Sequence, residues 1–417
     1  MIYKPKIGLV HYTYPPVVGG VERIVQDQAR LFAKYGYRTT VFAGDGINTE
    51  SQLTLSIIPE FKSLSLSDPN LKDKLLRESR FPAEHFQLKD TISAKLEKVF
   101  ADTDIFIIHN ILTNILNIPL NAALKDYIKN HPEKKFVVWI HDVILDPMRK
   151  KRTFASNQLH DLFYKPIAGA FYVGISQFLK NTLIDEIGFP KNLVTIIPNG
   201  VDINNMLNLH PLTQKILSKY NILDFDPLIF LPTKIMPHKN IDLCLKILLE
   251  IKKIKNNPLL IITAMNFPHN RNTSYLKEIQ ELINKLNLSK NIIYLHNEID
   301  SNFREIEYKI VDDFYRLSDI VFFLSSFENF GLPLLESGIT KTPIMVSNLE
   351  VFKEIESENV YYADIENESS SILADKVIAI LNQNKQISFF RKVKRQYNFD
   401  FIFQAKIIPF IEKIWKK

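Results

Sequence analysis

Short apolar runs alternate with amphipathic stretches along most of the chain. The first run, "KIGLVHY", ends in polar and aromatic residues and is followed by "TYPPVVGGVERIVQDQARLFAKYGYRTTVFAG". Apolar positions in "VERIVQDQARLFAKYG" recur with a period near 3.6, a glycine ends the pattern, and a second apolar run, "TTVFAG", comes next. This order predicts strand, loop, helix and strand, a βαβ unit. Further strands are predicted at "IFIIHN" (105–110), "FVVWIHD" (136–142), "AFYVGIS" (170–176) and "LVTIIPNG" (193–200). Residues 47–100 are less regular. There "LSLSDPN" reads as a turn between Lys- and Glu-rich surface helices.

A second series begins near residue 226. "PLIFLPT", "PLLIITAMN", "NIIYLH", "DIVFFLSS" and "TPIMVSN" predict strands, with helical patterns such as "NIDLCLKILLEIKKIKN" and "TSYLKEIQELINKLNLS" between them. Strand–helix repetition on both sides of a linker near 201–225 predicts an α/β protein with two doubly wound domains. The length of 417 residues points the same way, being too great for one ordinary core. The tail "QISFFRKVKRQYNFDFIFQAKIIPFIEKIWKK" predicts one or two amphipathic helices whose aromatics pack against the domains.

Composition narrows the class without naming a chemistry. A hydrophobic content of 46% and a charged content of 24% are those of a globular protein. The single cysteine, Cys244, excludes an intramolecular disulfide framework and suits a reducing compartment, with a buried thiol as its expected state. "MIYKPKIGLVHYTYPP" lacks the apolar core of a signal peptide, and no run reaches 18 apolar residues, so a cytoplasmic protein is expected. The formal charge of +6 permits an anionic substrate or membrane surface and demands neither. No nucleic-acid partner is expected.

In open α/β sheets, ligands bind at the C-terminal ends of strands. That rule selects His11, Gly19, Gly20, His109, Asn110, His141, Asp142 and Ser176 in the first half. In the second half it selects Lys234, Lys239, the loop after "IITAMN" and the segment from Glu328 to Glu336. Gly19 and Gly20 precede a helix, where small residues let backbone amides approach a phosphate; an ordinary turn is the alternative. They do not form a GxGxxG pattern, so a nicotinamide site is not supported. His141 ends a strand and can hydrogen-bond a reacting group, or serve as a structural histidine. The ten histidines show no H-x-x-x-H pair and there is no cysteine cluster, so no metal site is expected. Lys234 and Lys239 suit an anion such as a diphosphate over a helix start, or are solvated surface lysines. Glu328 falls in a loop, with the Asn329, Phe330, Gly331 and Leu332 amides at a helix N-terminus and Glu336 inside that helix. Carboxylates accept hydrogen bonds from hydroxyls, so a sugar or ribose fits them; a hydrolase pair is the competing reading.

Taken in order, these motifs resemble retaining glycosyltransferase family 4. "SSFENFGLPLLESGITKTPIMVSN" is similar to its E-x7-E segment, with Glu328 and Glu336 at the two acids. Gly19, Gly20 and Glu22 match its Gly-Gly-x-Glu loop, and "IIPNGVD" (196–202) resembles the segment that closes its first domain. The resemblance implies a GT-B fold, two Rossmann-like domains facing each other across a cleft. The first, residues 1–205, would bind acceptor, the second, 206–395, would bind a nucleotide-sugar, and a helix over 396–417 would cross back to the first domain. It further implies that Glu336 binds the donor ribose and that Glu328, with the amides of Asn329, Phe330 and Gly331, faces the donor sugar. Lys239 would contact the diphosphate with help from Gly19 and Gly20, and His141 would approach the reacting carbon. The donor, GDP-mannose or UDP-glucose, is a substrate, and no further cofactor or metal is implied.

Three positions depart from the family pattern. Lys234 replaces the usual arginine, keeping the charge and losing the bidentate fork. Leu324 stands where a proline is usual, and Thr233 where a glycine is. An active hexosyltransferase is expected, with a saccharide, lipid-linked or small polyol acceptor. The alternative is a phosphorylase or sucrose-type synthase acting on a soluble sugar or sugar phosphate. "MRKKR" (148–152) could meet a phosphorylated acceptor or anionic membrane headgroups at the inner face of the membrane, or be a solvated charge run.

Overall fold

The computed structural model describes residues 4–64, 83–143, 157–255, 257–263, 273–298 and 306–416. The chain divides into two compact units, residues 1–202 with 397–417 and residues 203–396.

Unit 1 is built on a sheet of β1 (Ile7–Val10), β2 (Thr39–Ala43), β3 (Thr54–Ile57), β4 (Ile105–His109), β5 (Lys135–Ile140), β6 (Ala170–Gly174) and β7 (Val194–Ile196). All pairings are parallel, in the order β3-β2-β1-β4-β5-β6-β7. The strand runs are apolar on both sides because helices cover both faces, as parallel sheets require. Over one face lie Ile24, Val25, Ala29 and Phe32 of the Gly20–Lys34 helix, together with Phe399, Ile402, Phe403, Ile407, Ile411 and Ile414 of the C-terminal segment. That segment is not a uniform helix. Pro409 has no N–H to offer the carbonyl one turn back, and the chain widens to a π turn over Phe403–Ile407 before the Ile408–Trp415 helix.

Unit 2 repeats the plan with β8 (Leu228–Leu231), β9 (Leu259–Ile262), β10 (Ile292–Tyr294), β11 (Ile320–Phe323), β12 (Ile344–Ser347) and β13 (Tyr361–Ala363). Their order is β10-β9-β8-β11-β12-β13, again all parallel. Cys244 is fully buried on the Ile241–Ile254 helix, and burial pushes its thiol pKa up. The Lys385–Gln396 helix belongs to this unit, so the predicted tail divides at Gln396.

In each sheet the strand order reverses at one place, between β1 and β4 and between β8 and β11. Chain leaving the two strands there departs in opposite directions and opens a crevice. The strands at these reversals lead into His11 and His109 in unit 1 and into Lys234, Lys239 and Glu328 in unit 2.

Candidate functional site

In unit 2 the crevice is flanked by the loop after β8, which carries Lys234 and Lys239, and the loop after β11, which carries Glu328. Lys239 Nζ and the Glu328 carboxylate form an ion pair, both partly buried. The ammonium also lies 5.5 Å from the centre of the Phe323 ring. Asn240 ties the loops further. Its Nδ2 donates to the Leu324 carbonyl at 2.8 Å, from a left-handed backbone with φ 50° that asparagine tolerates well. The Ser326 amide donates to the His238 carbonyl at 2.8 Å. Lys234 sits exposed on the β8 loop.

The Leu332–Thr340 helix starts at Gly331, whose φ of 134° no L side chain adopts comfortably. A Cβ there would also meet the Phe352 ring at 2.9 Å. Among the described residues, the amides of Asn329, Phe330, Gly331 and Leu332 have no acceptor, and Pro333 offers none. They remain as donors at the positive end of the helix. Glu336 lies one turn further on, exposed, with Oε2 accepting from Tyr315 Oη at 2.6 Å. Burial first, then that carboxylate, push the Tyr315 pKa far up, so the phenol is a permanent donor.

In unit 1 the crevice collects histidines. His11 follows β1, His109 ends β4, and His141 follows β5. His11 Nδ1 lies 2.9 Å from the His109 carbonyl, and its Nε2 lies 3.6 Å from Glu22 Oε1. Thr13 Oγ1 donates to the same carboxylate at 2.7 Å. Burial alone would raise the Glu22 pKa, but hydrogen bonds from His11 and Thr13 outweigh it and hold the group at about 2. The carboxylate lies directly over Gly19, where a Cβ would meet Oε2 at 1.9 Å, while the space beside Gly20 is open. His141 Nε2 lies 3.1 Å from His109 Nδ1. Burial, then the nearby His11, push His141 down to about 3, so its imidazole is neutral at physiological pH.

Not every selected residue belongs to a site. Ser176 caps the Gln177–Asp185 helix by accepting from the Leu179 amide at 3.0 Å. Asn110, with φ 55°, accepts from the His141 and Asp142 amides and donates to Asp142 Oδ1 at 3.1 Å, shaping the loop. "MRKKR" and the loop after "IITAMN" lie outside the described residues. Tyr315 and Asn240 had no signal in the sequence, because their relevance depends on which loops and helices meet; Asn199, whose Nδ2 lies 3.4 Å from His141 Nδ1, stands inside "IIPNGVD" but was not selected as a site residue.

Two family profiles match the chain. Residues 18–205 match Glycosyltransferase Family 4 and residues 213–396 match Glycosyl transferases group 1. The chain is a GT-B glycosyltransferase related to these two families. Its reaction moves a sugar from a nucleotide-sugar donor to an acceptor. The glycosyltransferase is 23% identical over 384 residues to the mannosylglucosylglycerate synthase of Petrotoga mobilis, covering 84% of each chain. It is 29% identical over 164 residues to the O-antigen chain mannosyltransferase RfbU of Salmonella typhimurium, 39% of this chain and 41% of that one. A 100-residue stretch is 33% identical to the serotype-specific mannosyltransferase WbdA of Escherichia coli, covering 23% of this chain and 11% of that one. Among solved structures, a glycosyltransferase from Rickettsia africae aligns over 100% of both chains at 18% identity, with a TM-score of 0.39. Among the described residues no helix is long and apolar enough to cross a membrane, and no group of three or more His, Cys, Asp or Glu could hold a metal ion.

Proposed function

We propose that the enzyme transfers a mannosyl residue from a nucleoside diphosphate mannose to a hydroxyl of a small soluble acceptor, in a synthase-type reaction that retains the anomeric configuration. The observation that carries the donor site is the Lys239–Glu328 pair at the β8/β11 reversal, with Glu336 held by Tyr315 on the next helix. Cations, free amides and a fixed carboxylate together suit a diphosphate followed by a ribose. The synthase-type reading draws support from the Petrotoga mobilis relative, matched over 84% of both chains, and mannose from the names of the three relatives.

Each residue then has a role. Glu336 accepts from ribose hydroxyls through its remaining oxygen. On unit 2, Lys239 and Lys234 neutralise the diphosphate. There too, Glu328 and the amides of Asn329, Phe330, Gly331 and Leu332 suit sugar hydroxyls. On unit 1, taken by itself, the Gly19 and Gly20 amides suit phosphate oxygens, and His141 suits a sugar near its reacting carbon. The bond from that carbon to the diphosphate oxygen breaks, the acceptor oxygen bonds to the same face, and the acceptor proton goes to the leaving diphosphate. Stabilisation of the developing negative charge by fixed cations and dipoles is the main catalytic device.

The partial matches to RfbU and WbdA favour a second reading, extension of a saccharide chain. Incubating the enzyme with GDP-mannose or UDP-glucose and with glucosylglycerate, a hexose phosphate or a mannose oligosaccharide separates the two. A small-acceptor product with the α configuration of the donor supports the proposal. Product from the oligosaccharide alone replaces it with the second reading, and an inverted anomer refutes retention.

A further inference from the structure

Three imidazoles stand in a row along the C-terminal edge of the unit 1 sheet. The register places Val10 opposite Ile108 and His109 opposite Trp139, so His11 and His109 are neighbours and His141 follows one pleat beyond Trp139. His109 is fully buried and cannot itself meet a substrate. Its ring lies 5.4 Å from that of His141, tilted by 32°, with Nδ1 3.1 Å from His141 Nε2. On the other side of His141, Nδ1 lies 3.4 Å from Asn199 Nδ2. With the Asn199 amide donating to Nδ1, the single proton of a neutral imidazole sits on Nε2 and His109 Nδ1 is its acceptor; with that acceptor gone, the amide can turn over and accept from Nδ1 instead, so that the proton divides between the two nitrogens. Both rings are kept neutral by burial, the condition for two imidazoles to share one proton.

His109 is itself held. The His11 ring donates to its carbonyl, and the Glu22 carboxylate with Thr13 fixes the far side of His11. The Glu22 carboxylate also packs over Gly19. One network therefore runs from the glycine loop to the ring of His141.

We infer that His109 is a positioning residue that fixes the tautomer and ring orientation of His141, with Glu22 and His11 holding His109 in place. The function of that arrangement rests on the role proposed for His141. A histidine buried merely to fill space would be replaceable by an apolar ring of similar size. A hydrogen-bonding partner would be replaceable only by a side chain that presents a polar atom where Nδ1 lies.

The test compares H109N, whose amide can reach that place, with H109F, on the full chain. Ring-nitrogen NMR of His141 reads the tautomer, and steady-state cleavage of the donor reads kcat and KM. Wild type and H109N are expected to show Nε2 protonated and Nδ1 bare at His141, and H109F to show the proton shared between the two nitrogens. H109F should lower kcat about tenfold to a hundredfold, with KM changed by less than about threefold, and H109N should recover most of that loss. An unchanged His141 pattern in H109F overturns the inference, as does an equal kcat loss in both variants. If wild type cleaves no nucleotide-sugar, the proposed reaction falls, while the NMR comparison still decides the positioning role. Should H109F fail to fold, H109N carries the test: a lost Nε2 proton pattern there overturns the inference.

Discussion

The carboxylate of Glu336 lies on an exposed helix surface, yet one of its oxygens is held by a buried phenol, Tyr315. A long acidic side chain free in solvent loses rotamer entropy when it grips a ligand; one already anchored loses less. Tyr315→Phe is therefore expected to weaken nucleoside diphosphate binding about fivefold to tenfold, a hydrogen bond's worth of about 1 kcal/mol. Titration calorimetry with ribose and 2′-deoxyribose nucleotides checks this, because the loss should shrink when the ribose hydroxyl is absent. Asp27, on the Gly20–Lys34 helix, makes a different prediction. Burial, then the charge of Asp202, raise its pKa to about 6 against the opposing Arg23 and Arg30. A raised carboxyl pKa means that ionisation costs stability above that value, and that the cost vanishes below the unfolded value. Asp27→Asn should raise stability by on the order of 2 kcal/mol near pH 8 and have no such effect below about pH 4. Denaturant melts at the two pH values measure it.

Between elements, the ends of two strands do opposite work. The C-terminal ends of β8 and β11 carry Lys239 and Glu328, while their N-terminal ends are clamped by a buried charge network. Asp319, fully buried, accepts from the Leu228 amide at 2.8 Å, Lys394 at 2.7 Å and Arg395 at 2.9 Å. Lys394, equally buried, also donates to the Leu317 carbonyl at 2.8 Å. Removing one partner leaves the others charged and buried, so Asp319→Asn is expected to cost about 3 kcal/mol or more, read as a lower unfolding midpoint. Most strands were legible from their apolar runs, because helices on both faces make each central strand hydrophobic throughout. The strands that escaped are β3 and β13, the edge strands Thr54–Ile57 and Tyr361–Ala363. They are half solvated, and their polar and exposed positions mask the pattern. Gly331 was legible as a helix start, but its packing against Phe352 was not, since nothing local links residues 331 and 352. The pairing of Lys239 with Glu328 was hidden for the same reason. Each loop announces its charge, and only the strand order brings the charges together.

For the whole molecule, the repeated strand–helix pattern, the family profiles and the two parallel sheets agree on two Rossmann-like units in one glycosyltransferase chain. Unit 1 includes residues 397–417, whose apolar positions join the face of its sheet under the Gly20–Lys34 helix. A change in that segment, such as at Phe403, therefore belongs to the stability of unit 1, although the sequence places it after unit 2. The central claim is that the crevice of unit 2 holds a nucleotide-sugar through Lys239 and Glu336. Its most direct test is thermal shift and donor cleavage across a panel of nucleotide-sugars and nucleoside diphosphates, comparing wild type with K239A and E336A. The account predicts that one donor, with GDP-mannose the leading candidate, stabilises the wild type and is slowly cleaved, and that both effects disappear in each variant. Wild type unmoved by every nucleotide, or variants that bind and cleave as wild type does, would contradict it.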